Sequence, residues 1–303
     1  MRSFPLVAVF LCGCAVVPPA WEGEPTVVLG SARAQGREVV VFFALRGREL
    51  SDRMEATALP DPQVGAALRA GGFASLRLDG GQYSRLYAQW IGGGEGMGTV
   101  VLDGNGQPYA ARPGPLDPPE LAAFIHRCAE ERPQVRSLRD AVAKEPRGAA
   151  EALALGRSLL DLGCRIESEE LLLRAAQGGE IEARHRLARL YALDGYCQRA
   201  RQWLDGVPET PGHAVTLGYL LFKERRHKEA VAVLAEPSRD PSLADDRLRA
   251  ALYLGKALHE CGEDDAARAV LSRLSREAAG TTFGAAADHS LAHLDSNNHG
   301  HTH

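Results

Sequence analysis

The chain has 303 residues, 45% hydrophobic and 24% charged, which suits about two globular domains of ordinary composition and excludes a disulfide-stapled miniprotein. Its 35 Lys+Arg against 39 Asp+Glu give a formal net charge of −4, so it lacks the broad positive field with which nonspecific nucleic-acid binders gather phosphates. Beyond the N-terminal segment, no apolar run approaches the ~18 residues that a membrane span requires.

Residues 1–20 read as an export signal: Arg2, an apolar stretch from Phe4 to Val17, then Pro18, Pro19 and Ala20. An exported protein of the periplasm or cell envelope is the expectation. Leu11-Cys12-Gly13-Cys14 resembles a bacterial lipobox, with Cys12 standing where Ala, Ser or Val is usual. The resemblance implies a lipidated Cys14 as the chain's only membrane anchor, and plain cleavage near Ala20 is the other route. Of six cysteines, Cys128, Cys164, Cys197 and Cys261 lie beyond this segment, where an oxidising compartment would let them pair.

Residues 21–133 read as one domain. An amphipathic stretch from Val28 to Gln35 precedes Val39-Val40-Val41-Phe42-Phe43, a β-rich run suited to a buried central strand. Helical spacing follows in Leu50, Met54 and Leu59, then in Val64, Ala67 and Leu68, the second helix opened by Asp61-Pro62. A strand over 73–78, a helix over 83–91 and a strand over 99–102 come next, with the glycines of 92–98 as a turn. Asp103-Gly104-Asn105-Gly106 turns the chain into a strand near 109–112, and Asp117-Pro118-Pro119 opens a helix carrying Leu121, Phe124 and Ile125.

This order, together with the segments FFALRGRELSDRMEATALPDPQV, ASLRLD and GTVVLDGNGQP, resembles the thioredoxin-like fold over residues 37–127. Aligned on Met54-Glu55, the resemblance puts Arg48 and Ser51 at the two redox cysteines and Gly98 at the cis-proline. No cysteine occurs between Cys14 and Cys128, and thiol–disulfide exchange needs a thiolate. The resemblance therefore implies a redox-inactive module. No histidine precedes His126 to serve Ser51 as a base, and the charges around it read as a solvated loop and helix start.

Residues 137–294 carry an internal repeat. Leu155-Gly156, Leu187-Ala188, Leu217-Gly218 and Leu254-Gly255 recur 32, 30 and 37 residues apart. Each is followed by a turn residue (Gly163, Gly195, Arg225, Gly262), a small residue (Ser168, Ala200, Ala230, Ala267) and a leucine (Leu172, Leu204, Leu234, Leu271). The pattern resembles tetratricopeptide repeats, with a Sel-like variant around residues 178–195. It implies stacked helical hairpins, a joining helix over 139–146 and a capping helix over 283–294. The fold class expected is thus an α/β thioredoxin-like domain plus an all-α tetratricopeptide-type domain.

In such repeats the first helix of each pair lines the concave face. The resemblance places Arg157, Arg189, Tyr219 and Lys256 at one equivalent position there, with His185, Lys223, Tyr253 and His259 facing the same way. Cations with tyrosines imply a groove for an acidic peptide or protein partner, the alternative being a solvated helix face. Gly163 and Gly195 occupy equivalent turns, so Cys164 and Cys197 are a candidate disulfide. Residues 295–303 form a His-rich tail which, with His289 and His293, reads as a polar terminus rather than a metal centre. The function expected is a noncatalytic scaffold with no cofactor. The competing readings are a thiol-redox accessory, which the absence of any Cys-x-x-Cys opposes, and a metal-handling envelope protein.

Overall fold

A computed structural model describes residues 21, 24–93 and 96–298. The export signal, Cys14, and His299, His301 and His303 lie outside the described residues. The chain divides into two compact units, Met1–Leu171 and Leu172–His303. Among the described residues no helix is long and apolar enough to cross a membrane.

The first unit is α/β. Its elements run α1 (Pro25–Ala34), β1 (Val39–Ala44), α2 (Glu49–Thr57), α3 (Pro62–Gly71), β2 (Ala74–Asp79), α4 (Ser84–Trp90), β3 (Gly98–Leu102), β4 (Pro108–Pro113), α5 (Pro118–Lys144), α6 (Ala149–Asp161) and the start of α7 (Arg165–Gln177). The sheet order is β2-β1-β3-β4, with β1 parallel to β2 and antiparallel to β3, and β3 antiparallel to β4. Strand β1 is buried along its whole length, as its unbroken apolar run requires of a strand covered on both faces. Val39, Val41 and Phe43 share one core with Ala32 of α1 and with Tyr87 and Trp90 of α4. Alternation leaves Val40 and Phe42 to the other face.

Helix starts follow their caps. The Asp61 carboxylate accepts from the Gln63 and Val64 amides at 2.7 and 3.3 Å. Asp117 and Glu120 form a reciprocal capping box at the head of α5.

The sequence ends the first domain at Pro133 and resumes helix at residue 139, but α5 runs unbroken from Pro118 to Lys144 with Pro133 inside it. Arginines on both sides of the proline hold the helix to the sheet unit. Arg132 lies 2.8 Å from the buried Glu38 carboxylate, which also accepts from the Tyr109 hydroxyl at 2.7 Å. Arg139 pairs with Asp103, donates to the Pro108 carbonyl at 2.8 Å and pairs with Glu167 at 2.7 Å. These anchors outweigh the single backbone hydrogen bond a proline removes. The helical hairpin after α5 also belongs to this unit. The Ala111 amide of β4 donates to the Leu162 carbonyl at 3.0 Å. Gly163 turns beside the Ala111 carbonyl, where a Cβ would collide with that oxygen.

The second unit is helical: the remainder of α7, then α8 (Ile181–Leu193), α9 (Cys197–Leu204), α10 (Pro211–Lys223), α11 (His227–Leu234), two short 3-10 turns, α12 (Asp245–Glu260), α13 (Asp264–Glu277) and α14 (Thr282–Asn298). The repeat pattern maps onto it directly. Leu187-Ala188, Leu217-Gly218 and Leu254-Gly255 sit in the first helices of successive hairpins, and Leu204, Leu234 and Leu271 in the second. The four turn residues share one left-handed conformation, with φ of 81° at Gly163, 82° at Gly195, 62° at Arg225 and 79° at Gly262. Three are glycine, which takes this region without penalty, and Arg225 takes it against its side chain's preference. In two of the hairpins a glycine of the first helix makes room for the leucine of the second. A Cβ on Gly255 would lie 2.6 Å from Leu271 Cγ, and one on Gly218 would collide with Leu234. Val215, Leu234, Leu258, Leu271 and Leu294 belong to one continuous core in this unit.

Candidate partner-binding face

Helices α8, α10 and α12 are the first helices of their hairpins and carry the polar positions singled out above. On α12, Asp246, Arg249, Tyr253 and Lys256 recur at spacings of three and four and form one stripe. On α10 the stripe is Thr216, Tyr219 and Lys223, and on α8 it is His185 and Arg189.

Contacts within the unit divide these residues into two groups. Arg189 reaches Asp246 in a forked pair, at 2.6 and 2.9 Å, so its charge is met inside the chain. Arg249 stands 4.0 Å from the same carboxylate, and its guanidinium lies over the Phe283 ring, 5.5 Å from the centroid. His185 Nε2 lies 3.2 Å from the Thr216 hydroxyl, and burial pushes its pKa below the ordinary histidine value. His259 Nδ1 sits 2.7 Å from Asp264. These three expected groove residues are engaged with neighbours rather than presented outward. Arg157 is exposed on α6 in the first unit.

The other four converge. Tyr219 and Tyr253 pack edge to face with ring centroids 4.6 Å apart, and Phe222 meets Tyr253 at 5.4 Å. Lys223 Nζ lies 5.5 Å from the Tyr219 centroid and Lys256 Nζ 5.7 Å from the Tyr253 centroid, both within cation–π range. Neither ammonium has an acidic partner among the described residues. Burial pulls the Lys256 pKa below the ordinary lysine value, and the charge of Lys223 pulls it further. Burial raises both phenols, so the hydroxyls remain protonated donors near neutral pH. Two like charges held beside an aromatic shelf repel one another, and an arriving anion relieves both at once. Lys144, Lys223, Lys228 and Lys256 are the chain's only lysines, so half of them stand here.

Asp246, Arg249, Thr216 and Phe222 escape the sequence reading. The signal that finds three of them is the stripe itself: Asp246 and Arg249 continue the Tyr253–Lys256 spacing toward the start of α12, and Thr216 does so for Tyr219–Lys223 on α10.

Arg48 and Ser51, which the resemblance aligns with redox cysteines, take up local structural positions. Arg48 precedes α2, and the buried Ser51 hydroxyl accepts from the Leu45 amide at 2.8 Å, which ties the end of β1 to α2. Cys128, Cys164, Cys197 and Cys261 are all free thiols in the structure. Cys164 turns to the sheet edge, its thiol 3.5 Å from the Pro108 carbonyl. Burial pushes the Cys128 and Cys164 thiols up to about 12, away from the thiolate form that attacks disulfides. Among the described residues, no three or more His, Cys, Asp or Glu side chains gather in a way that could hold a metal ion. Comparison with protein-family models and with curated proteins gives no match to the chain.

Proposed function

We propose that this chain is a noncatalytic, exported scaffold whose tetratricopeptide-type repeats hold an acidic peptide segment of a protein partner on the α10–α12 face. The observation that carries the reading is the pair Lys223 and Lys256, each over a tyrosine ring and neither answered by a carboxylate among the described residues. Carboxylates of the partner meet the ammoniums, and its apolar atoms lie on Phe222 and Tyr253, which the buried Tyr219 ring supports from within. Arg189 acts as an internal brace for this face. Support for a thioredoxin-like docking unit comes from the β2-β1-β3-β4 order with its parallel β1–β2 pair and closing hairpin and helix. Support for its inactivity comes from Ser51, whose hydroxyl is committed to the Leu45 amide.

The test is fluorescence anisotropy with labelled acidic peptides, each matched to a version with Asp and Glu replaced by Asn and Gln. The wild-type chain binds the acidic series, and added salt weakens the complex. The double reversal Lys223→Glu/Lys256→Glu weakens it by about tenfold or more, through lost attraction and new repulsion. Equal affinity for acidic and neutral peptides, or binding indifferent to the double reversal, would overturn the proposal.

A further inference from the structure

The terminal helix α14 carries a feature that the peptide face does not use. His289 and His293 stand one helical turn apart, both exposed, with their rings nearly perpendicular and centroids 4.5 Å apart. Their Nε2 atoms lie 3.1 Å apart. In the free protein this contact is a hydrogen bond, which requires one ring to carry its proton on Nε2 and the other on Nδ1.

We infer that His289 and His293 form a two-nitrogen site for a late first-row divalent cation, Cu2+ above Ni2+ and Zn2+. With metal–nitrogen bonds of about 2.0–2.1 Å, nitrogens 3.1 Å apart subtend about 95–100° at the metal. That suits two adjacent ligands of a tetragonal Cu2+ better than the wider opening of a tetrahedral ion. Metal entry needs both Nε2 lone pairs. The ring that donates the hydrogen bond therefore gives up its Nε2 proton to solvent and takes one on Nδ1, so no net proton leaves.

Nearby carboxylates do not complete the shell. Asp288 accepts from the Ser275 hydroxyl at 2.5 Å and Asp295 pairs with Arg268, both across the α13–α14 packing. No third ligand gathers with the two histidines among the described residues. A site with two protein ligands keeps its other positions for water or an incoming donor, which makes it an exchangeable docking point rather than a structural centre.

The experiment uses the full chain with His299, His301 and His303 changed to Ser, titrated with CuCl2 by calorimetry and followed by electron paramagnetic resonance. One Cu2+ per chain is expected, with the splitting of two equivalent nitrogens. His289→Ala or His293→Ala reduces affinity by about tenfold or more and leaves at most one of those nitrogens. Helical circular dichroism of each variant is measured alongside, so that a loss with unchanged helicity reports on ligation. Cu2+ affinity and nitrogen splitting that survive both substitutions would overturn the assignment. Binding of acidic peptide is a separate readout that neither substitution changes.

Discussion

Gly255→Ala tests whether the repeats are held by the interlock of a missing side chain with a leucine. Added at Gly255, a methyl group would lie 2.6 Å from Leu271 Cγ, 2.7 Å from Cδ2 and 3.3 Å from Cδ1. Ordinary carbon contacts are about 3.5–4.0 Å, so the leucine must retreat by about 1 Å. Leu271 is only 1% exposed and has nowhere to go. Overpacking of this kind costs about 1–3 kcal/mol, while exchanging glycine for alanine within a helix returns about 1 kcal/mol. The single substitution therefore destabilises by about 0–2 kcal/mol, and Leu271→Ala by about 2–5 kcal/mol through the cavity it leaves. In the Leu271→Ala background the obstruction is gone, so Gly255→Ala now stabilises by about 1 kcal/mol and fills part of the cavity. A double-mutant cycle from urea unfolding, followed by far-UV circular dichroism, should show a coupling of about 1–3 kcal/mol. Additivity within about 0.5 kcal/mol would refute the interlock.

Two further outcomes follow from strained or buried groups. Arg225 holds φ at 62° at a turn where the equivalent positions are glycine, so Arg225→Gly should raise stability by about 1 kcal/mol in the same unfolding assay, and a loss would show that the arginine side chain contributes more than its backbone costs. His185 has a folded-state pKa pulled below its unfolded value by burial, so the unfolded chain binds the proton first as pH falls. Its contribution is fully present above about pH 6.5 and is lost as pH falls from there through the lower folded value. His185→Gln should flatten the drop in melting temperature across that window, and an unchanged slope would remove His185 as its source.

What the sequence discloses is what is local. The run Val39–Phe43, the caps Asp61 and Asp117 and the turn at Asp103–Gly106 each act through neighbours a few residues away, so each is legible at its own position. The repeat is legible for a related reason: a left-handed turn and a small residue opposite a leucine are demands that every hairpin restates. Pro133 misleads because the groups that override it are remote. Glu38 reaches Arg132 and Asp103 reaches Arg139 only once the sheet has formed. The same limit applies at the candidate site. Spacing of three and four brings Tyr219 with Lys223 and Tyr253 with Lys256, yet it cannot tell that Arg189 is neutralised by Asp246, a partner 57 residues further along the chain. Facing positions are periodic, whereas charge cancellation depends on which helices meet.

That Arg189–Asp246 pair joins α8 to α12 and skips the hairpin between them. In a one-dimensional stack each repeat normally feels only its immediate neighbours, and the array can melt from an end one unit at a time. A fork that reaches past the nearest neighbour changes this arithmetic: opening either flanking hairpin leaves a guanidinium or a carboxylate without its partner. The pair should therefore couple the three hairpins, and amides in α8, α10 and α12 should differ less in exchange free energy than a graded series from the end inward would give.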